Sequence, residues 1–267
     1  MLKIYRDKQI SAFWQSFWEK IPRDPDEITA LNTYPIFPLC KYVKPHNIIL
    51  EAGCGMGRIL KHYHNKGYKV IGLEYNLYAL QKLKKENKRF NLVCADISHL
   101  PFKEMIFDVY AAFGVYPNLE NGTEQAFFEA KRVSKIGGIF VASMCCLNIS
   151  RIIETALLYS YYFIKIIILK GTKLYFYVWC SGKKEWEYLI KKHGYSILES
   201  TYGTTRQSIW QYAPFLRKKA IFNGTNARDG DKGYQLNYTG ERLFTFLNKY
   251  FPSWIAMVSV CVAKYEK

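Results

Sequence analysis

Ile49 to Arg58 reads ILEAGCGMGR, an apolar run that ends in a carboxylate and then three glycines separated by single residues. An apolar run leading into a glycine cluster predicts a strand that delivers the chain to a tight turn, and RILKHYH after it predicts a helix. Glycines let the backbone of such a turn approach a ligand, and the following helix presents its unpaired N–H groups there. In the dinucleotide spacing GxGxxG the third glycine would fall at position 58, which is Arg58; the third glycine here is Gly57, one residue early. Glu51 stands just before the turn, where a carboxylate suits a cationic ligand with an amino group better than a pyrophosphate.

Outward from that turn, short apolar runs alternate with amphipathic helical stretches from Asn47 to Ala142, the pattern of βαβ units and a parallel sheet. Strands are expected at 47–50, 69–73, 90–94, 107–113 and 139–143. Helices are expected over 58–66, stopping at Gly67, over 76–88 with Leu77, Leu80 and Leu83 inward, and from Asn121, as cap, to about Ser134. Beyond Ser143 come an aromatic and aliphatic insertion, a helix over 183–193, and strands at 195–200 and 256–265. The expected segments are 1–46, an N-terminal helical lid carrying the aromatic stripe Phe13, Trp14, Phe17 and Trp18; 47–146, the cofactor-binding core; 147–180, a cap insertion; and 181–267, the remainder of the sheet with a mobile polar loop near 223–233.

The second strand ends in VIGLEYN, with Glu74 at its C-terminal tip, where a carboxylate can accept both hydroxyls of a ribose. The third supplies VCADISHLPF, with Asp96 placed to accept from an exocyclic adenine amine and Ile97 to lie on the ring. Three ordered features at the ends of consecutive strands point to one ligand along that edge.

Together ILEAGCGMGR, VIGLEYN, ADISHLPF, FDVYAAFGV and EAKRVSKIGGIFVAS resemble, in order and spacing, the class I S-adenosylmethionine-dependent methyltransferases, in particular their small-molecule group. The resemblance implies an α/β, Rossmann-like, doubly wound sheet of seven mostly parallel strands with an antiparallel last strand, plus a helical and aromatic cap. It also implies S-adenosyl-L-methionine as cofactor. Glu51, Gly53, Cys54, Gly55 and Gly57 would hold its methionine part, Glu74 its ribose, and Asp96 with Ile97 its adenine, while Phe113 and Gly114 would lie near the sulfonium; Tyr75 is a further cofactor-binding candidate. Where many relatives read GVxEH this chain reads Gly114, Val115, Tyr116, Pro117, Asn118, so a histidine that could act as base is replaced by an asparagine that takes no proton at neutral pH. Tyr116 and Asn118, with Tyr175 and Tyr177 of the cap, are the candidates for orienting the acceptor.

At 267 residues and 49% hydrophobic the chain can bury a full core. Seven cysteines with no CxxC spacing fit reduced thiols in a cytoplasmic protein, and no structural metal is expected. The net charge of +16 suits a polyanionic partner, yet the lysines are dispersed along the chain, as coding bias alone can produce. No nucleic-acid partner is expected. Residues 152–169 are apolar on nearly every face of a helix but shorter than a span, so this segment either roofs the acceptor site and packs partly against a second subunit of an oligomer, the favoured reading, or touches lipid as a peripheral membrane contact. The functional expectation is methyl transfer to an O or N atom of a small, partly apolar acceptor. An RNA methyltransferase and a noncatalytic S-adenosylmethionine-binding protein are the alternatives.

Overall fold

The computed structural model describes residues 1–7, 14, 16, 37–169, 173–204, 206–218 and 234–266. The polar loop 223–233, and Phe13, Phe17 and Trp18 of the N-terminal stripe, lie outside the described residues.

The apolar run of ILEAGCGMGR is strand β2 (Ile48–Ala52), following a first strand, β1 (Leu2–Arg6). Helix α1 (Arg58–Asn65), β3 (Lys69–Glu74), α2 (Leu77–Glu86), β4 (Asn91–Cys94) and β5 (Phe107–Ala112) follow. Then come α3 (Thr123–Val133), β6 (Ser134–Cys146), α4 (Ile149–Leu169), β7 (Tyr175–Ser181), α5 (Lys183–Lys192), β8 (Tyr195–Thr204), α6 (Gln207–Tyr212), α7 (Tyr238–Tyr250) and β9 (Ala256–Tyr265). Strands β4, β3, β2, β5 and β6 lie side by side in that order and parallel, and β9 runs antiparallel between β6 and β8. This is the doubly wound, Rossmann-like α/β sheet with an antiparallel last strand that the motifs implied.

Alternation within each strand divides the core. Leu50, Tyr110 and Phe140 face a layer containing Phe127 of α3 and Trp186 and Ile190 of α5. Their neighbours Ile49, Val109 and Val141 face Leu60 of α1 and Leu83 of α2. Strands buried on both faces read as continuous apolar runs, which is why these segments were legible. The expected asparagine cap of α3 is displaced by one residue: Gly122, at φ 85°, occupies the cap position instead of Asn121.

The ends of the expected lid and cap differ from their sequence reading. Residues 2–6 form a strand, not part of a helix, and pair antiparallel with β7. The aromatic stretch of the cap is itself that strand, because FYVWCS alternates: Phe176, Val178 and Cys180 are buried while Tyr175, Tyr177 and Trp179 are half-exposed. The β1–β7 ribbon joins the sheet where Cys145 and Cys146 of β6 project past the end of β5 and pair with Cys180 and Ser181. It therefore stands at the C-terminal edge, over the turn that follows β5, where Trp179 Nε1 donates to Leu119 O at 2.7 Å.

A second device holds that edge. Glu129 Oε2 accepts from Leu100 N at 2.7 Å, while Arg132 donates to Phe102 O at 2.7 Å and to Leu100 O at 2.9 Å and pairs with the same glutamate. One ion pair on α3 thus ties down the loop that leaves β4 through Asp96. The Arg132 guanidinium holds the Glu129 carboxyl below the usual carboxylate range. A depressed folded pKa gives stability that is present above the unfolded carboxylate pKa and lost as pH falls through the folded value. Glu129→Gln is expected to cost about 1.5–3 kcal/mol near neutrality, the range for hydrogen bonds to a charged group. Urea unfolding should show the difference from wild type shrinking as pH falls below about 4, as the wild-type carboxyl takes up its proton.

Candidate functional site

The C-terminal ends of β2, β3, β4 and β5 meet at one edge. At the first of them Gly53, Gly55 and Gly57 adopt φ of 74°, 53° and 71°, a left-handed path that side chains resist. A Cβ on Gly53 would stand 2.3 Å from Val115 Cγ2, so sterics as well as backbone angle demand glycine there. The turn is pinned by Gly53 N and Cys54 N, both donating to Leu73 O at 2.7 and 2.8 Å. The Cys54 side chain is buried in the α1–α2 core layer and burial pushes its thiol well up, so this residue offers only backbone to the edge.

Glu51 is 6% exposed, and its Oε2 accepts from Leu60 N at 2.8 Å. It thus caps the first turn of α1 from the end of the preceding strand, a contact the sequence reading did not assign. Burial pushes its carboxyl up to about 8, against the opposing pull of the Leu60 and Ile59 amides and of Arg58. Glu74, at the tip of β3, accepts from Gly55 N at 2.9 Å through Oε2 and from Asn76 N at 3.0 Å through Oε1. Each carboxylate oxygen has two lone pairs, so one remains on each for a diol. Tyr75 lies open beside it, 72% exposed.

At the end of β4, Asp96 is exposed and uses Oδ1 to accept from Ser98 N at 2.8 Å and Ser98 Oγ at 2.6 Å. These bonds use Oδ1, and the second oxygen of an exposed carboxylate can accept from an amine. Ile97 departs from expectation: its side chain is buried in the α3–α5 core layer, so it does not lie open to a ring. Phe113 is half-buried against the other layer. Gly114, at φ 71°, is gripped on both sides of its α-carbon, its N–H donating to Ser143 Oγ at 2.8 Å and its carbonyl accepting from Asn118 Nδ2. A Cβ there would meet nothing within 4 Å, so the residue borders open space.

Tyr116 requires a correction. It is fully buried, with its ring centroid 4.6 Å from Phe127 and 5.7 Å from Trp186, and burial pushes its hydroxyl well up. A side chain with no surface cannot orient an acceptor; the 3₁₀ turn Tyr116–Asn118 swings it into the core and leaves Asn118 at the edge. Tyr177 is likewise engaged, beneath the Arg6 guanidinium at 4.1 Å, and Tyr175 lies under Lys173 at 5.3 Å. Ser143 was missed, although one hydroxyl within the apolar run GIFVASM was a signal.

The edge thus offers a glycine turn walled by carboxylates, acceptors on two successive strand tips, and an open glycine at the third. These features fit the amino-acid part, ribose and adenine of S-adenosylmethionine, with the qualification that Ile97 and Cys54 can contribute backbone only. The raised Glu51 carboxyl gives a check independent of any ligand. The folded state binds its proton more tightly than the unfolded state, so this group's contribution to stability is fully present below the unfolded pKa and declines as pH rises towards about 8. Glu51→Gln is expected to flatten the fall of urea stability between about pH 5 and 8; an unchanged slope would mean the carboxyl is ionised throughout.

Residues 50–142 match the model of the methyltransferase domain family. The chain is 34% identical over 109 residues to 24-methylenesterol C-methyltransferase 3 of Arabidopsis thaliana, covering 38% of this chain and 30% of that protein. It is 29% identical over 203 residues to an uncharacterized protein of Methanocaldococcus jannaschii, covering 70% and 78%. The matched stretch therefore spans about a third of the plant enzyme. Among solved structures, an S-adenosylmethionine-dependent methyltransferase from Methanosarcina mazei superposes with a TM-score of 0.57 at 16% identity, over 87% of this chain and 98% of that one. Residues 50–142 thus form a methyltransferase domain, and the sheet order, the glycine turn and the acidic strand tips give it the fold of the class I S-adenosylmethionine-dependent methyltransferases.

Proposed function

We propose that the protein transfers a methyl group from S-adenosylmethionine to an O or N atom of a small, partly apolar organic acceptor. The observation that carries this reading is the junction of Glu74 with Gly55, which places the carboxylate of one strand tip on the backbone of the glycine turn at the next. The cofactor supplies an electrophilic methyl group on a cationic sulfur. The chain's own part is to hold that group and exclude water, since orientation of a nucleophile in line with a methyl carbon can supply much of the rate without a strong base. Asn118 fits this division of labour, because an amide holds a neighbouring carbonyl and takes up no proton.

The clamp on Gly114 supports a positioning role for Ser143 and Asn118 at the end of β5. The cap's ribbon and helix stand on the same edge of the sheet, beside the place where a partly apolar acceptor would enter. The named substrate of the plant relative, a methylenesterol, is of that chemical kind.

Isothermal calorimetry should show S-adenosylmethionine binding that Glu74→Ala weakens by about 1.5–3 kcal/mol in a folded protein. Asp96→Ala should cost less, and Gly55→Val more, since a β-branched residue resists the left-handed turn. NAD and NADP should bind at least about tenfold more weakly than S-adenosylmethionine, a gap of about 1.4 kcal/mol. Comparable dinucleotide affinity would sink the reading, and methyl transfer to an RNA pool but to no small-molecule pool would replace the acceptor class.

A further inference from the structure

Helix α4 is inside-out. Its inward side carries the polar groups: Tyr159 Oη accepts from Tyr5 N at 3.1 Å, Tyr162 Oη accepts from Asp7 N at 3.2 Å, Lys165 pairs with Asp7 at 3.2 Å, and Glu154 pairs with Arg6 at 3.2 Å. The outward side presents Ile152, Ile153, Leu157, Tyr161, Phe163 and Ile164, each between 52% and 67% exposed. At a helical rise of 1.5 Å this apolar strip runs for about 18 Å with no charged residue on it. A surface helix of a globular protein shows the opposite arrangement, polar out and apolar in. The favoured expectation is a roof that packs partly against a second subunit; within one chain, what holds the helix to β1 is a set of hydroxyls and ion pairs, and its apolar side stays open.

The neighbourhood says what would cover the strip. The turn 252–255 packs against α4 and brings the half-exposed Trp254, which lies 4.8 Å from the ring of Phe251; Phe246 and Tyr250 of α7 continue the aromatic surface. Every acidic group described along this side is already matched: Asp7 by Lys165, Glu154 by Arg6 and Arg151, and Glu241 by Arg206. Arg242, Lys249 and Lys173 are exposed, on a chain of net charge +16. An apolar strip beside aromatic rings and cations matches the layering of a bilayer surface, with acyl chains below, amphipathic rings at the headgroups and anionic phosphates around them. A second copy fits less well, because a two-fold interface sets each patch against itself and would bring the same cations face to face.

We propose that the outer face of α4, with the adjoining α7 and 252–255 aromatics, docks the protein on a bilayer rich in anionic lipid. No helix among the described residues is long and apolar enough to cross a membrane, so the contact is with the surface. Because α4 follows directly on the C-terminal end of β6, the helix that carries the docked face starts at the edge where the acceptor would enter. That link, and with it a membrane-dissolved acceptor, rests on the methyltransferase reading; the docking itself does not.

The test is flotation of the full chain with vesicles of phosphatidylcholine alone and of phosphatidylcholine with phosphatidylglycerol, beside sedimentation velocity without lipid. The chain is expected to float with the anionic vesicles and not the neutral ones. The Leu157→Ser/Phe163→Ser double variant, and separately Arg242→Glu/Lys249→Glu, should each reduce the bound fraction at least about tenfold. Both variants should keep the wild-type affinity for S-adenosylmethionine, which shows that they fold. Absence of flotation, flotation that neither variant weakens, or equal binding to neutral vesicles would overturn the proposal. So would a concentration-dependent dimer that Leu157→Ser/Phe163→Ser dissociates, which would assign the face to a second copy. Failure of the wild type to bind S-adenosylmethionine while still floating would sink the methyltransferase reading and leave the docking face standing.

Discussion

A parallel sheet leaves its cofactor edge to be built from whatever follows each strand, and here that edge hangs on one buried carboxyl. Glu51 closes β2 and accepts from the first turn of α1, so the glycine turn between them is anchored at both ends while its own backbone takes left-handed angles. Beside that anchor the turn has the two bonds to Leu73 O, the one to Glu74 and its own bond from Gly57 N to Cys54 O. The cost is burial of an acid, seen in its raised pKa; the helix N-terminus, with its surplus of unpaired amides, is where such an acid is best tolerated.

The same logic of carboxyls meeting backbone amides recurs along the edge. Glu74 bonds Gly55 and Asn76, Asp96 bonds Ser98, and Glu129 bonds Leu100 from the layer beneath. Each bond fixes a loop at the point where the chain leaves a strand, and two of the carboxylates retain acceptor capacity towards solvent. Rigid loops with spare acceptors are what a polar ligand needs, because little ordering entropy is then lost when it binds. Gly114 completes the row with a clamped peptide and an open α-carbon, so the hard constraints sit in the backbone and the free volume sits where the reaction would take place.

The cap obeys a different balance. Its strand β7 is stabilised as a strand usually is, with Ile4, Val178 and Cys180 packed together on one face. Its helix is fastened by tyrosine hydroxyls and ion pairs to β1 and Asp7, which spends the polar groups inward and leaves the isoleucines and aromatics outside. Water exposes such a face at a free-energy cost of roughly 25 cal/mol per Å², so an apolar partner gains what the fold leaves unburied.

The sequence by itself determined the sheet and the positions of its acidic tips. Continuous apolar runs, glycines at single-residue spacing, and Glu74 and Asp96 at fixed distances from them are local signals, readable because each strand and turn is specified by its own residues. It could not determine which way Ile97 and Tyr116 point, since both follow strands at positions where either the edge or the core was open to them, and the packing of α3 and α5 on the sheet drew them inward. Nor could it tell a strand at residues 2–6 from the start of a helix, because the partner that defines it, β7, lies more than a hundred residues away. The orientation of α4 belongs to the same class: a segment apolar on nearly every side has no preferred inward face of its own, and only the hydroxyl and ion-pair contacts with β1 decided which side turned to the protein.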